Sequence, residues 1–447
     1  MTSPHPGTPD APASCGADAA RAALPRTAAP AGRWQAAARA TGLLGADGTV
    51  RPTIFTEMSA LATSTGALNL GQGFPDVDGP ASVKQAAADA IAAGQNQYPP
   101  GPGIAALRQA VADHQQRHYG LAPDPDTEVL VTTGATEALA ATLLALTEPG
   151  DEVLTLEPFY DSYAAVIALA GARHTTAPLV ASPDGFHLDV AALRAAVTDR
   201  TRIILLNTPH NPTGAVLSAA ELAVVAQVAE QHDCLVVTDE VYEHLVYDGV
   251  RHVPFATLPG AAGRALTISS AGKTFSFTGW KIGWLTGPAA LVDAVRAVKQ
   301  FLTFTTGAPF QPAVAHALAL ETGSGPDAGW VTGLAASLAA RRDLLIDGLA
   351  AAGFDVVRPQ GTYFVVADAA RLLAGPLAGL GLRDGAELCR RLPALAGVVG
   401  VPVSAFTHDG STADDALRTA VRFTFVKQEP VLREAVRRLA TLGGARG

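Results

Sequence analysis

The chain has 447 residues, is 48% hydrophobic and 16% charged, and carries a formal net charge of −9. This length and globular composition allow two or three packed units and exclude long disorder beyond the N-terminus. The acidic balance, with no long Lys/Arg run, excludes nucleic acid and anionic membrane as main partners.

Residues 1–50 are rich in Ala, Pro, Gly and Thr and read as a poorly ordered tail with one short helix near Arg33–Ala40. The first residues lack a basic stretch followed by an apolar one, so no secretory signal is expected. No uninterrupted apolar run of about 18 residues occurs, so no membrane-spanning helix is expected. The three cysteines, Cys15, Cys234 and Cys389, are widely spaced and predict reduced thiols in a cytoplasmic protein.

Ordered sequence is expected from near Pro52. Ser82 is placed to cap a helix running to Ala93, and residues 104–118 form another helical stretch. TEVLVTT (127–133) reads as a strand, with a helix over 136–146. DEVLTLE (151–157), TRIILLN (201–207), CLVVTDE (234–240) and ALTISS (265–270) are short β-branched runs with the pattern of buried parallel strands. A helix over 218–231 separates two of them. This order predicts a layered α/β domain. Beyond Gly287 the chain turns mostly helical, with a long helix over 327–351. Strands follow at 362–368 and 421–427, then a last helix from Pro430.

Four polar clusters fall at the ends of these strands, where open α/β sheets bind ligands. In TTGATEAL (132–139) a glycine leads from strand into helix, and the N–H groups of Ala135 and Thr136 are free for an anion. In NTPHNPTG (207–214) prolines hold the Asn211 amide in place. In TDEVYEHL (238–245) Asp239 ends an apolar strand, so its buried carboxylate needs a donor or cation, and Tyr242 points into the same space. Glu240 and His244 have the helical spacing of a metal pair. No third ligand is apparent, so they read as surface residues and no metal is expected. In SSAGKTFSFTGWKIGW (269–284) Lys273 sits among small and aromatic residues, flanked by Ser270 and Lys281. An apolar setting makes a lysine nucleophilic. Each cluster taken alone also reads as an ordinary turn or surface group. Together they offer an amine, a carboxylate, a phenol, an amide and an anion nest. That set fits pyridoxal 5′-phosphate (PLP).

With NLGQGFPD (69–76), NQYPPGPG (96–103), EPFYDSY (157–163) and VRFTF (421–425), these motifs make the chain from about Pro52 to Leu442 resemble the fold type I aminotransferases of class I/II. Within that class it looks most like the kynurenine aminotransferase and N-succinyldiaminopimelate aminotransferase groups. The resemblance implies a three-layer α/β/α PLP-binding domain with a mostly parallel sheet over 85–325, and a smaller α+β domain over 326–447. Residues 51–84 would form an N-terminal arm and part of the small domain. It implies that Lys273 binds PLP and moves the substrate's α-proton, that Asp239 pairs with the pyridinium, and that Tyr242 and Asn211 meet the ring oxygen. Tyr160 would stack on the ring. Ala135, Thr136, Ser270 and Lys281 would hold the phosphate, with Tyr98 reaching in from the second subunit of a homodimer. Arg422 would bind the substrate carboxylate. Gly73 would lie in the segment closing over the substrate, and Phe304 would line the partner's pocket. The implied activity is ping-pong transamination between an amino acid and a 2-oxo acid. N-Succinyl-2,6-diaminopimelate with 2-oxoglutarate is one substrate pair; kynurenine, glutamine or methionine, with cysteine-conjugate β-lyase activity, is the alternative. A PLP-binding transcription regulator is disfavoured, because residues 1–50 contain few basic residues. Gly71–Gln72–Gly73 lacks the third glycine and the following helix of a dinucleotide fingerprint.

Overall fold

The computed structural model describes residues 31–45, 47–321 and 324–443. Cys15 and most of the expected tail lie outside them. Within them the ordered chain begins earlier than expected: Arg33–Ala40 forms the short helix foreseen there and packs on the helix Asp161–Ala170.

The first strand, β1 (Leu68–Asn69), is short. The main sheet uses β2 (Val129–Thr132), β3 (Glu152–Glu157), β4 (Arg173–Ser182), β5 (Gly185–Leu188), β6 (Thr201–Asn207), β7 (Leu235–Asp239), β8 (Ala265–Ser270) and β9 (Gly283–Thr286). Later come β10 (Asp355–Val357), β11 (Phe364–Asp368), β12 (Val398–Val399), β13 (Val401–Pro402) and β14 (Ala420–Thr424).

The eight-stranded order is β2-β9-β8-β7-β6-β3-β4-β5. Pairing is parallel from β8 through β7, β6 and β3 to β4, and antiparallel where β9 and β5 join. Sequence reading foresaw β3, β6, β7 and β8 because each is apolar on both faces. In β6, Ile203 and Leu205 face the cluster holding Ala138, Leu143 and Ile167, while Ile204 and Leu206 face Leu222, Val225 and Val228. Period-2 alternation thus feeds two helical layers, and a fully buried side chain such as Leu206 contributes about 1.5–3 kcal/mol. The hairpin β4–β5 was not foreseen, because Arg173, Val180 and Ala181 leave β4 partly exposed at the sheet edge. Nor was β9, whose four residues hide within a glycine- and tryptophan-rich motif.

One expected cap is corrected. The helix Ala81–Ala92 is preceded by Pro80, not capped by Ser82, whose N–H instead donates to Asp327 Oδ2 at 2.8 Å. Proline suits this boundary because it has no N–H to satisfy. Ser218 does cap the helix Ala219–Gln231, in a reciprocal capping box with Glu221.

A second sheet, β10-β11-β14-β13, is antiparallel throughout. Its core joins Phe423, Val421 and Val365 to Leu345 and Leu349 of the long helix Trp330–Ala351. β1 pairs with β12, which ties residues 68–69 to this C-terminal part. Among the described residues no helix is long and apolar enough to cross a membrane. Cys234 and Cys389 are free and buried, and burial pushes the Cys234 thiol up to about 11.

Candidate active site

Sheet register assembles the site. Asn207 pairs across from Asp239 at the ends of β6 and β7. Thr132 of β2 and Ser270 of β8 both pair with Gly283 of β9. The carboxyl edge therefore carries Asn207, Asp239, Ser270 and the start of the helix Gly134–Leu146 side by side. They open into a cavity of ≈ 370 Å³, which Arg422, Gly73 and Phe364 also line.

Lys273 lies in the one-turn helix Ala271–Thr274 that follows β8. Its Nζ stands 5.7 Å from the Tyr242 ring centre and 5.9 Å from that of Tyr363. Asp239 is buried, and its Oδ2 accepts a 2.8 Å hydrogen bond from Tyr163 Oη. Burial pushes its carboxyl up to about 6, against the Tyr163 hydroxyl, the Val241 N–H and the Lys273 charge. Burial likewise raises the Tyr242 phenol well above 10, and Tyr160 to about 12, so both stay protonated donors at neutral pH.

Arg422, on β14, is buried under aromatic rings. Its guanidinium carbon lies 4.0 Å from the Phe364 ring centre and 4.6 Å from that of Phe406. Nη1 donates to Asn211 Oδ1 at 2.9 Å and Nη2 to Gly71 O at 2.8 Å, while Nε is buried with no hydrogen-bond partner among the described residues. Burial lowers its pKa to about 10, which leaves it charged.

At the other end, Gly134, Ala135 and Thr136 turn the first residues of their helix towards the cavity. These N–H groups have no partner within the helix. Lys281 adopts a left-handed backbone (φ 55°), and its Nζ reaches Thr136 Oγ1 at 3.3 Å. Desolvation and the Lys273 charge lower its pKa. Gly283 makes the close approach possible: a Cβ there would lie 2.6 Å from the Gly134 carbonyl carbon and 2.8 Å from Ala135 N. Overpacking of this kind costs about 1–3 kcal/mol, so Gly283→Ala should weaken PLP binding by about tenfold or more. Titration of cofactor-free protein with PLP checks this, and an unchanged affinity would show that the cradle is not the anion site.

The residues present fit PLP. Asp239 hydrogen-bonds only neutral donors among the described residues, so a cationic ring nitrogen would supply the partner that burial withholds. The helix start beside Lys281 suits the phosphate. The pH dependence of stability tests this environment. A carboxyl whose folded pKa exceeds its ordinary 3.8 is held more readily as the acid, so ionising it costs stability. In cofactor-free protein that cost is absent below 3.8, grows as pH rises through about 6, and reaches on the order of 3 kcal/mol. Urea unfolding across this range should show wild type losing stability relative to Asp239→Asn as pH rises. Parallel profiles would contradict the buried, cation-free setting.

The structure brings Ala135, Thr136, Tyr160, Asn211, Asp239, Tyr242, Ser270, Lys273, Lys281, Arg422 and Gly73 to one cavity. It does not bring Tyr98 or Phe304 there. These two rings pack edge to face, 5.6 Å apart, and Tyr98 is 82% exposed. Glu240 and His244 are not the surface pair expected. Glu240 is buried against His252 at 2.7 Å, and His244 meets His114.

Tyr163, Asn207, Asp161 and Phe364 line the cavity too, beyond the residues expected from the sequence. Tyr163 had a legible signal: it follows Tyr160 by three residues at a helix start, on the same face. Asn207 ends a buried strand, and it binds Asp239 O through Nδ2 and the Asn211 N–H through Oδ1, both at 2.7 Å.

A mostly parallel sheet between helical layers, with a lysine, a buried carboxylate and an anion cradle at its carboxyl edge, is the architecture of PLP-dependent enzymes of fold type I. The chain belongs to the aminotransferase class I and II family, whose model matches residues 65–439. It is a PLP-dependent aminotransferase, which moves an amino group between an amino acid and a 2-oxo acid by ping-pong transamination. It is 56% identical over 394 residues to a probable N-succinyldiaminopimelate aminotransferase of Mycobacterium tuberculosis, covering 87% of this chain and 96% of that one. It is 38% identical over 390 residues to a methionine aminotransferase of Escherichia coli, with coverage of 87% and 96%. The solved structure of N-succinyldiaminopimelate aminotransferase from Mycobacterium tuberculosis superposes with a TM-score of 0.83 at 53% identity, covering 93% of this chain and all of that one.

Proposed function

We propose that this aminotransferase exchanges an amino group between N-succinyl-2,6-diaminopimelate and 2-oxoglutarate, and serves lysine biosynthesis. The observation that carries the site assignment is that Lys273 and Arg422 line the same cavity, an amine and a guanidinium matched to the two ends of an α-amino acid head group. The 56% identity to the mycobacterial protein supports the donor.

PLP, when bound, supplies an aldehyde that condenses with amines and a ring that draws electrons from the substrate's α-carbon. The chain's residues do the rest. Lys273 would hold the cofactor, and its freed Nζ would then be the base that takes and returns the substrate's α-proton. Asp239 would keep a positive charge on the ring nitrogen. Tyr242 and Asn211 would donate to the ring oxygen, and Tyr160 would cover the ring. Ala135, Thr136, Ser270 and Lys281 would hold the phosphate. Arg422, already oriented by Asn211 and Gly71, presents its fork to the α-carboxylate. Gly73 has room for no side chain, since a Cβ there would lie 2.3 Å from Phe364 Cζ. Tyr98 and Phe304, exposed at the surface of one chain, reach the partner's cavity in a cytoplasmic homodimer.

The test is a donor panel without any oxo acid, followed through the visible spectrum of the PLP-loaded protein. The proposal expects N-succinyldiaminopimelate to convert the cofactor fastest. Faster conversion by methionine or kynurenine would replace the donor, a reading favoured by the methionine aminotransferase relative. Pyruvate release from a cysteine conjugate without oxo acid would add β-lyase activity.

A further inference from the structure

Outside the lining of the cavity, three histidines converge. His114 and His118 stand one turn apart on the helix Ala105–Tyr119, and His244 follows from the segment after β7. One ring nitrogen of each lies within 4.8 Å of the other two. His114 Nε2 and His244 Nε2 are 2.7 Å apart, and the three ring centres are separated by 4.6–4.9 Å. Two buried polar atoms here have no hydrogen-bond partner among the described residues, His118 Nε2 and Gln115 Oε1. Burial lowers the pKa of His114 to about 4 and of His244 to about 3, and lowers that of His118 too. All three rings are therefore neutral at pH 7, the form that ligates metals.

We propose that His114, His118 and His244 form a binding site for a divalent zinc-class ion, with the fourth position open to water. Zinc–nitrogen bonds of about 2.0–2.1 Å set tetrahedral nitrogens about 3.4 Å apart. The His114 and His244 nitrogens reach that spacing by opening from 2.7 Å, and His118 by closing in from at most 4.8 Å. Two histidines at i and i+4 on a rigid helix supply half the site, and helices hold such ligands better than loops. Protons balance. One Nε2 of the His114–His244 pair carries a hydrogen, and on binding it passes to Nδ1 of the same ring, so the ion enters without net proton release. His114 Nδ1 faces the Gln115 carboxamide, whose nitrogen stands 3.5 Å away. Turning that amide over gives Oε1 the donor it lacks and gives the ligand the outer hydrogen bond that metal-bound histidines make. Beside His244, the Glu243 carboxylate accepts from Tyr119 Oη at 2.7 Å and Ser269 Oγ at 2.6 Å, and its charge favours a cation. The ion would fasten the helix Ala105–Tyr119 to the segment two residues after Tyr242.

The test uses PLP-loaded, full-length protein stripped with a chelator and titrated with Zn²⁺. One ion per chain should bind, with X-ray absorption showing three imidazole nitrogens at about 2.0 Å. His118→Ala, at a partly exposed helix position, should keep transaminase activity and weaken zinc binding by about 100-fold or more, exceeding the effect of losing an outer-shell partner. No saturable site in wild type, or an affinity in His118→Ala within about tenfold of it, would overturn the proposal.

Discussion

Replacing Lys273 by alanine abolishes transamination, with an expected loss of at least about 10⁴-fold. The lysine is assigned two tasks, covalent attachment and proton transfer, and general acid–base catalysis alone contributes about 10²–10⁴-fold. The other nearby amine cannot substitute. Lys281 Nζ is directed to Thr136 Oγ1 at the phosphate end, while Lys273 stands over Tyr242. The variant should still bind PLP, because the cradle at Gly134–Thr136 and Asp239 remain. Single-turnover measurement with the preferred donor separates lost chemistry from lost binding. Residual activity within a hundredfold of wild type would move the base elsewhere.

Arg422→Lys is expected to raise KM for the amino donor by about 30-fold or more. Breaking a buried, hydrogen-bonded charge contact costs about 2–5 kcal/mol. Lysine keeps the charge but not the fork, and at this site the fork does three things at once. Nη1 positions Asn211, Nη2 ties to Gly71, and the remaining N–H groups of the fork would take the incoming carboxylate. The planar group also lies between Phe364 and Phe406, a slot poorly matched to an ammonium. Steady-state kinetics for donor and acceptor, beside thermal unfolding, check this. A loss of stability with unchanged KM would make Arg422 a structural residue.

Much of this was legible in the sequence for identifiable reasons. β3, β6, β7 and β8 are apolar on both faces, because helices cover both sides, so a single run marks each one. Residues that close a strand and must be polar, Asp239 and Ser270, stand out against such runs. β4, β5 and β9 were hidden because edge exposure and glycine blur their pattern. Arg422 could be placed only through the family resemblance. Its neighbours Gly71 and Asn211 are 351 and 211 residues away, a distance no local spacing encodes. The same holds for the histidines: His114 and His244 are 130 residues apart, so no local spacing brings them together. Tyr163 was within reach, since its helical spacing from Tyr160 was already in the motif.

In the proposed function Lys273 carries the cofactor. The most direct measurement is borohydride reduction of the PLP-loaded protein, which fixes the cofactor to its lysine, followed by proteolysis and mass mapping. The label should fall on the peptide containing Lys273, at one per chain, and pre-incubation with an excess of amino donor should prevent it. Label on Lys281 or another lysine, or none in protein saturated with PLP, would contradict the account.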